Sequence, residues 1–253
     1  VKGESRVTGH STKIITDKAL DWLKNRDSEK PFLLCAQYKT PHIHRLPPPN
    51  RMKGYDDQTF PVPDTFFDNF STRSSFVSKT WMALKGMKGH VLNIAPTEEE
   101  IKQTPETRPP FLEEMNTRQR KAWHAAYDPR NLKFRKMKDE GKLEGKEAQL
   151  YVYQRFIKDY IRCIDGLDDQ VGRILSFLDE TGLAKNTLVI YSSDQGFFTG
   201  EHGWAEKRWM YEESFKSPLL IRWPGVIKPG TQISELVQNI DLAPTLIQVA
   251  GLP

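Results

Sequence analysis

The sequence is poor in cysteine, lacks long apolar runs and carries little excess charge, and each shortage excludes a class of protein. Only Cys35 and Cys163 occur among its 253 residues, too few for a disulfide framework or a zinc ribbon. No window holds 18 consecutive apolar residues, so a membrane span is not predicted. The net charge of +4 is too small to indicate nucleic-acid binding by itself.

The start of the chain carries neither an initiator methionine nor a secretory signal. Residues 1–6 are mostly polar and contain no apolar segment of the kind that a signal peptide needs. We therefore expect the chain to be cut at its start. Aromatic residues are plentiful (6 Trp, 8 Tyr and 13 Phe), so a packed core is expected and general disorder is not.

Positive charge concentrates in residues 116–147, which hold ten Lys or Arg against five Asp or Glu. Two interpretations are open: a solvated insertion, or a rim that attracts anionic substrates. The aromatic residues of this stretch, Trp123, Tyr127 and Phe134, do not interleave with the basic ones as in a stacking platform. Nucleic acid is therefore not a predicted partner.

Apolar spacing predicts alternating helices and strands. Strong helical patterns lie at 11–25, 147–180 and 241–250, and weaker ones near 68–84, 112–126 and 206–216. Continuous apolar runs predict buried strands at residues 32–38, 187–191 and 219–223. Both cysteines are expected to be buried, one in the first strand and one in the long helix. This order predicts an α/β sandwich with a mainly parallel central sheet flanked by helices.

Asp194 and Gln195 come directly after the predicted strand 187–191. A carboxylate beside an amide oxygen is a pair of hard ligands that suits Ca²⁺ or Mg²⁺ and does not suit zinc. An Asx turn that caps the strand is the structural alternative. No P-loop, Gly-x-Ser-x-Gly elbow, His-Glu-x-x-His or Cys-x-x-Cys motif occurs in the sequence.

Histidines and basic residues form two further candidate sites. Residues 200–208 combine His202 with Lys207 at a predicted helix start, which fits an anion site or an ordinary surface helix start. The loop after the first strand holds Lys39, His42 and His44. A histidine there could donate protons near neutral pH or serve a structural role.

Several strings follow one another in a specific order along the chain. They are Pro-His at 41, Tyr-Ser-Ser-Asp-Gln-Gly at 191, Gly-Glu-His-Gly-Trp at 200, Trp-Pro-Gly at 223 and Asn-Ile-Asp-Leu-Ala-Pro-Thr at 239. Together they resemble a type I sulfatase of the alkaline-phosphatase superfamily, and most of all carbohydrate sulfatases of the N-acetylglucosamine-6-sulfatase and iduronate-2-sulfatase kind. The resemblance covers nearly the whole chain and is weakest over 50–147. It implies an alkaline-phosphatase-like fold and hydrolysis of a carbohydrate sulfate ester.

The resemblance also implies roles for five residues. Asp194 and Gln195 would bind one Ca²⁺, His42 and Lys207 would contact the sulfate ester as catalytic residues, and His202 would touch sugar or sulfate at the rim. Breaking a sulfate ester builds negative charge, which a divalent cation, a lysine and a histidine would stabilise. A periplasmic or secreted enzyme is implied, with a sulfated carbohydrate as its partner and neither membrane nor nucleic acid.

Two parts of the family pattern are missing. The family nucleophile is a Cys or Ser in a Cys/Ser-x-Pro-Ser/Ala-x-Arg signature, oxidised to formylglycine, and neither cysteine of this chain has that context. A strand with paired aspartates that completes the metal site is also absent, because Asp56-Asp57 and Asp168-Asp169 fall in other contexts. We therefore expect residues 1–253 to be a partial catalytic domain, incomplete at both ends and inactive alone, with 50–147 a variable, loop-rich, basic insertion.

Two other functions stay open. One is a phosphodiesterase or phosphonate hydrolase of the same superfamily, in which His often stands at the position of Gln195. The other is a non-catalytic protein that binds anions or glycans and keeps His42 and Lys207 without turnover. A neutral amide at position 195 favours a single hard cation over a two-metal site.

Overall fold

A computed structural model describes residues 7–86 and 92–252, and the chain divides into two compact units. The first unit comprises the chain up to Phe177 together with Phe198–Glu206. The second comprises Leu178–Phe197 together with the chain from Lys207 onward. The two units therefore interleave along the sequence.

Helix α1 spans Ser11–Asn25, where the sequence predicts it. Its buried positions recur three or four residues apart and include Thr12, Thr16, Ala19 and Leu23. The polar members of this face have partners, since the Thr16 and Tyr38 hydroxyls are hydrogen-bonded at 2.7 Å. The buried face of α1 is thus polar at one end and apolar at the other.

The segment 32–38 is extended, as predicted, but it is not a buried strand. It pairs with no strand in the described part of the chain, and exposure alternates along it. Leu33 is 69% exposed and Cys35 is exposed as well. Because successive side chains of an extended segment point to opposite sides, this segment buries only one of its two faces, and the apolar side chains of the other face stay exposed. The prediction of burial is wrong for Cys35 and correct for Cys163.

Helices α2 (Glu98–Gln103), α3 (Pro110–Glu113) and α4 (Thr117–Asp139) build a core in the first unit. The buried cluster consists of Met52, Ala95, Ile101, Phe111, Leu112, Trp123, Ala126 and Tyr127. Trp123 and Tyr127 stack on each other with ring centroids 4.8 Å apart. The interpretation of 116–147 as a solvated insertion is therefore wrong for α4, because one face of this basic helix carries core aromatics.

The weaker helical patterns give different outcomes. The pattern near 112–126 belongs to α3 and the longer α4, whose N-terminus is closed by a capping box between Asn116 and Gln119. The pattern near 68–84 yields only short 3-10 turns such as Val77–Lys79. Residues 71–76 are all exposed, so the segment has no continuous buried face, and only its end is enclosed, at Met82 and Leu84.

Helix α5 spans Gly145–Glu180 and confirms the long predicted helix. Its buried apolar positions recur at helical spacings and include Tyr153, Phe156, Ile157, Cys163, Leu167 and Leu178. Gly182, with φ +73°, closes the helix by donating its N–H to the Asp179 carbonyl. Within 7–86 and 92–252, no helix has the length and apolar character needed to cross a membrane.

Strands β1 (Val189–Ser192) and β4 (Leu219–Arg222) pair antiparallel in the second unit. The first unit holds a second antiparallel pair, β2 (Phe198–Thr199) with β3 (Ala205–Glu206). The prediction of a mainly parallel sheet is therefore not met by the strands that the structure describes. The connection from β1 to β4 passes through the β2–β3 hairpin and one short helical turn, without the long helix that usually joins parallel neighbours. The helix predicted at 206–216 is a single turn, α6 (Glu212–Phe215).

Helix α7 spans Leu242–Val249 and ends the second unit. Asp241, the first residue of the predicted helix 241–250, is the N-cap, but its carboxylate accepts from the Gln238 N–H outside the helix. Gly251 follows in the left-handed region with φ +70°. The boundaries of this helix thus agree with the sequence prediction to within a residue.

Candidate functional site

The loop after β1 carries the predicted metal ligands Asp194 and Gln195. Asn239 fixes its backbone, since the side-chain amide donates to the carbonyl oxygens of Ser193 and Asp194, both at 3.1 Å. Asp194 is exposed and Gln195 is half-buried. Asp194 therefore lies at the surface of the second unit, on a loop whose backbone is held by the Asn239 amide.

Gly196 leaves no room for a side chain in this loop. A Cβ there would lie 2.9 Å from the Lys216 carbonyl oxygen and would conflict still more closely with the Glu213 carbonyl oxygen. We expect Gly196→Ala to destabilise the second unit by about 1–3 kcal/mol, because two backbone atoms cannot rotate away as a side chain can. Hydrogen exchange of the β1 amides measures this loss.

Gly172→Ala in α5 is the matched control for that substitution. A Cβ at Gly172 meets nothing within 4 Å, so the added methyl is expected to be neutral or to stabilise the helix. Equal loss of amide protection in the Gly196→Ala and Gly172→Ala chains would contradict the steric argument.

Lys207 lies in the second unit, as do Asp194 and Gln195. Its ammonium nitrogen is 5.6 Å from the ring centroid of Phe197, two residues beyond Gln195. This distance is within the roughly 6 Å over which a cation is attracted to an aromatic face. The structure thus places three of the five predicted site residues in one unit, with the lysine held against the loop that carries the other two.

His202 lies in the β2–β3 turn of the first unit, and its side chain is only 7% exposed. Its Nδ1–H donates to Asp68 Oδ2 at 2.8 Å, which fixes the tautomer in which Nδ1 carries the proton. Its backbone is left-handed with φ +57°, and Gly203, with φ +68°, continues the turn. The imidazole is therefore oriented by a carboxylate and enclosed by the turn.

Asp68 is a functional candidate that the sequence analysis missed. The Phe70 N–H, Arg73 and His202 all donate to its carboxylate, and outweigh burial to hold its pKa at about 2. Asp68 and His202 are 134 residues apart in the sequence, so no local pattern could join them.

The depressed pKa of Asp68 predicts a pH dependence of stability. Because the folded pKa is about 2, against an ordinary value of 3.8, the ionised carboxylate stabilises the fold fully above about pH 4. This contribution, about 2 kcal/mol, is lost as pH falls through the folded pKa. Unfolding free energies of the wild type and Asp68→Asn should converge toward pH 2. A gap between them that stays constant from pH 5 to 2 would contradict the assignment.

His42 lies in the first unit and is exposed in the loop after residues 32–38. Its Nδ1 is 3.0 Å from the Ile43 carbonyl oxygen, which can only accept, so Nδ1 carries the proton. His44, by contrast, packs on the Phe111 ring with centroids 5.1 Å apart. His42 is therefore available to solvent, whereas His44 has a structural partner in the core cluster.

The other acidic pairs of the sequence hold structural ion pairs. Asp56 accepts from Arg130 and Arg162, and Asp169 accepts from Arg51. Among the residues that the structure describes, no three His, Cys, Asp or Glu side chains gather as a metal site. The carboxylate and amide of the β1 loop fit Ca²⁺ in donor chemistry, but Ca²⁺ takes roughly six to eight oxygens. They can supply only part of a calcium site.

Comparison with known proteins establishes the fold. A solved structure of a protein in complex with its substrate D-glucosamine-2-N,6-O-disulfate superposes on this chain with a TM-score of 0.91 and 36% identity. The match covers 98% of this chain and 50% of that one. The predicted alkaline-phosphatase-like α/β class is thereby confirmed, so the antiparallel pairs described above are part of such a fold.

Sequence comparison establishes the family. A model of the Sulfatase family matches residues 2–252. The chain is 36% identical to the N-acetylglucosamine-6-O-sulfatase of Bacteroides thetaiotaomicron over 246 residues, 96% of this chain and 43% of that protein. It is 27% identical to arylsulfatase K of Rattus norvegicus over 238 residues, 94% of this chain and 34% of that protein. The chain belongs to the sulfatase family of sulfuric ester hydrolases, and it spans less than half the length of these two curated relatives.

Proposed function

We propose that this chain is a section of a calcium-dependent sulfatase that hydrolyses a sulfate ester on a carbohydrate. The observation that carries the proposal is the grouping of a hard-oxygen pair and a lysine in one unit of a sulfatase-family chain. The identity to an N-acetylglucosamine-6-O-sulfatase over 96% of the chain supports a sugar as the substrate.

Each residue has a role that its own surroundings support. Asp194 and Gln195 would hold part of the calcium site, and bound Ca²⁺ would neutralise charge on the sulfate oxygens. Lys207 would contact the ester through its ammonium group and stabilise chiefly the charge that develops in the transition state. His42, with Nδ1 protonated and donating to a carbonyl, would be a sulfate contact able to move a proton at Nε2. Asp68 would orient His202 toward the sugar.

The second unit supports the proposal that the chain is part of a larger fold. Exposed large apolar residues there include Leu219, Leu220, Ile221, Val226, Ile233, Leu236, Val237, Ile240, Ile247, Val249 and Leu252. Three of them, Leu219 to Ile221, are consecutive in β4, and contiguous exposed apolar residues mark a surface that another segment covers. An isolated two-stranded sheet is also marginal in water. We therefore propose that further polypeptide of the same enzyme covers β1 and β4.

The chain alone is expected to be inactive, because it holds neither the formylglycine signature nor more than two candidate metal ligands. The measurement is turnover of an aryl sulfate and of N-acetylglucosamine 6-sulfate by the 253-residue chain with added Ca²⁺, beside its Lys207→Ala variant. Turnover by the chain above that of the variant would contradict the proposal that it is a section of the enzyme.

The proposed activity is tested in a polypeptide in which this chain is continued to the length of its relatives. We expect hydrolysis of carbohydrate sulfate esters and loss of rate when Ca²⁺ is chelated. Preference for a phosphate diester or phosphonate ester would make the protein a phosphodiesterase or phosphonate hydrolase. Binding of sulfated glycans without turnover would make it a non-catalytic protein. We propose a periplasmic or secreted location, since the family's members act outside the cytoplasm or in lysosomes.

A further inference from the structure

A buried ion pair joins the chain beside His42 to the chain beside Lys207. Arg45 Nη2 donates to Glu206 Oε1 at 3.2 Å, and the two side chains are only 1% and 7% exposed. Arg45 follows His42 by three residues, and Glu206 directly precedes Lys207. The partners are 161 residues apart in the sequence, so the pair is a tertiary contact within the first unit.

Arg45 is fixed at its backbone as well as at its side chain. The Asn93 side-chain amide donates to the Arg45 carbonyl oxygen at 2.7 Å, and Asn93 is fully buried. The Arg45 guanidinium lies 4.9 Å from the Phe156 ring centroid, within the range of a cation–π contact. A planar guanidinium held against both a ring and a carboxylate has little freedom to turn. The loop that carries His42 is therefore anchored three residues after the histidine.

The backbone of Glu206 lies in a region that residues other than glycine rarely adopt, with φ +89°. Such a conformation persists only where the surrounding contacts determine it. Strand β3 pairs with β2, with Glu206 opposite the buried Phe198, and the Glu206 carboxylate accepts from Arg45. The direction in which the chain leaves β3 and enters Lys207 is therefore set by residues of the first unit.

Stability alone is a weak reason for a buried ion pair. Taking two charges out of water costs free energy that their attraction often fails to offset, and apolar residues of similar size can stabilise a fold equally well. Burial lowers the pKa of Arg45, and the Glu206 carboxylate offsets only part of that shift. A charge-assisted hydrogen bond does, however, fix the geometry of the segments that it joins.

We propose that Arg45 and Glu206 are positioning residues whose ion pair holds the His42 loop at a fixed separation from the backbone that leads into Lys207. The proposal rests on the proposed function, since it concerns two residues that would contact the sulfate ester. Arg45 and Glu206 would not touch the ester themselves, because both are buried. A displacement of about 1 Å at a reacting group can lower a rate roughly 10²-fold. Loss of the pair should therefore act on kcat through His42 and Lys207.

Arg45→Met combined with Glu206→Met tests the proposal in a polypeptide that continues this chain to the length of its relatives. This double methionine variant leaves no buried charge, so it should fold with a Tm within about 4 °C of the wild type. We expect kcat on a sulfated monosaccharide to fall roughly 10²-fold, while KM changes less than about threefold. Wild-type kcat in this variant overturns the proposal.

Arg45→Lys is the conservative variant, which keeps the positive charge but not the planar fork. It should lower kcat only about tenfold and so recover part of the rate that the double methionine variant loses. If the double methionine variant does not fold, Arg45→Lys decides the question, and wild-type kcat in Arg45→Lys then overturns the proposal.

The double methionine variant in the Lys207→Ala background separates positioning from general damage. If the pair acts through Lys207, the further loss of kcat there should be about tenfold or less, because the contribution of the lysine is already gone. A loss of roughly 10²-fold in both backgrounds overturns the proposal. Arg51→Met with Asp169→Met removes another ion pair of the first unit and is the matched control, with kcat expected within about twofold of the wild type.

Hydrogen exchange gives a readout that does not depend on turnover. The His42 N–H donates to the Lys39 carbonyl at 2.9 Å, and the Ala205 N–H donates to the Met82 carbonyl at 3.0 Å. Exchange of these two amides should be roughly tenfold faster in the double methionine variant and unchanged in the control.

The two readouts distinguish failure of the positioning proposal from failure of the proposed function. If the wild-type polypeptide does not hydrolyse sulfate esters but exchange follows the expected pattern, the proposed function fails and the ion pair stands as the link between the two segments. Unchanged exchange in that case overturns the link as well. If the wild type hydrolyses sulfate esters and kcat ignores the double methionine variant, the positioning proposal fails and the function stands.

Discussion

Replacing Asp159 with alanine is expected to lower the free energy of unfolding of the first unit by about 3–5 kcal/mol. Asp159 is 4% exposed, and its carboxylate accepts from the Tyr127 hydroxyl at 2.9 Å and from the Asn93 amide at 2.8 Å. It also accepts from Arg162 at 2.7 Å, and Arg162 is itself 2% exposed. Its removal leaves three buried donors short of a partner, one of them on a charged group.

Buried donors of this kind explain why the expected loss is large. A hydrogen bond contributes about 1 kcal/mol net, but a buried polar group left without a partner loses its full hydration energy. Arg162 keeps two bonds, to the Gly54 carbonyl and to Asp56, so its charge is not left wholly without partners. The expected loss is therefore several kcal/mol and not the far larger energy of an isolated buried ion.

Hydrogen exchange of the α4 and α5 amides in urea measures the effect of Asp159→Ala. Asp159→Asn, which keeps one carbonyl acceptor, should give an intermediate loss. Asp168→Ala is the matched control, an exposed aspartate on the same helix, and should change stability by less than about 0.5 kcal/mol. Equal protection in the Asp159→Ala and Asp168→Ala chains would show that the polar network contributes little.

The helices could be predicted because their signals are local. Apolar spacing places α1, α5 and α7, and a glycine closes each of the last two helices, Gly182 after α5 and Gly251 after α7. The predicted helix at 206–216 shrinks to one turn because its pattern was short and contains no strong cap.

Strand environment could not be predicted, because it depends on partners that a local run of residues does not name. The runs at 32–38 and 219–223 look equally buried in the sequence. In the structure, residues 32–38 pair with no strand of the described chain, whereas Leu219–Arg222 pairs antiparallel with β1. Both leave apolar side chains exposed, including Leu33 at 69% and Leu220 at 66%. An apolar run indicates that burying these residues is favourable, but it does not identify the segment that covers them.

The candidate site shows the same difference between local and long-range signals. Asp194, Gln195 and Lys207 lie close together in the sequence, so a string of residues was enough to propose them. Their supporting contacts come from elsewhere in the chain: Asn239 reaches the Asp194 carbonyl from 45 residues away, and Asp68 reaches His202 from 134. These contacts are products of tertiary packing, and single-sequence patterns carry no signal for them.

Replacing Lys207 with alanine, in a sulfatase polypeptide that contains this chain, is expected to lower kcat by roughly 10²–10³-fold. The ammonium group would act on charge that grows as the S–O bond breaks, so its loss should reduce kcat and kcat/KM together and leave KM little changed. Lys207→Arg keeps the positive charge but not the geometry, and should recover part of the rate. Steady-state kinetics on a sulfated monosaccharide measure all three proteins.

The matched control for Lys207 is Lys228→Ala, since Lys228 is an exposed lysine in a turn of the same unit. Its removal takes away the same charge and the same side-chain length, and should leave kcat within about twofold of the wild type. A general effect of net charge on substrate attraction would appear equally in both variants and would vanish at high salt. A loss confined to Lys207→Ala and persistent at high salt assigns the effect to contact with the reacting ester. If Lys207→Ala keeps the wild-type kcat, Lys207 is not a catalytic residue. Asp194 and Gln195 would then be the remaining candidate site residues of the second unit.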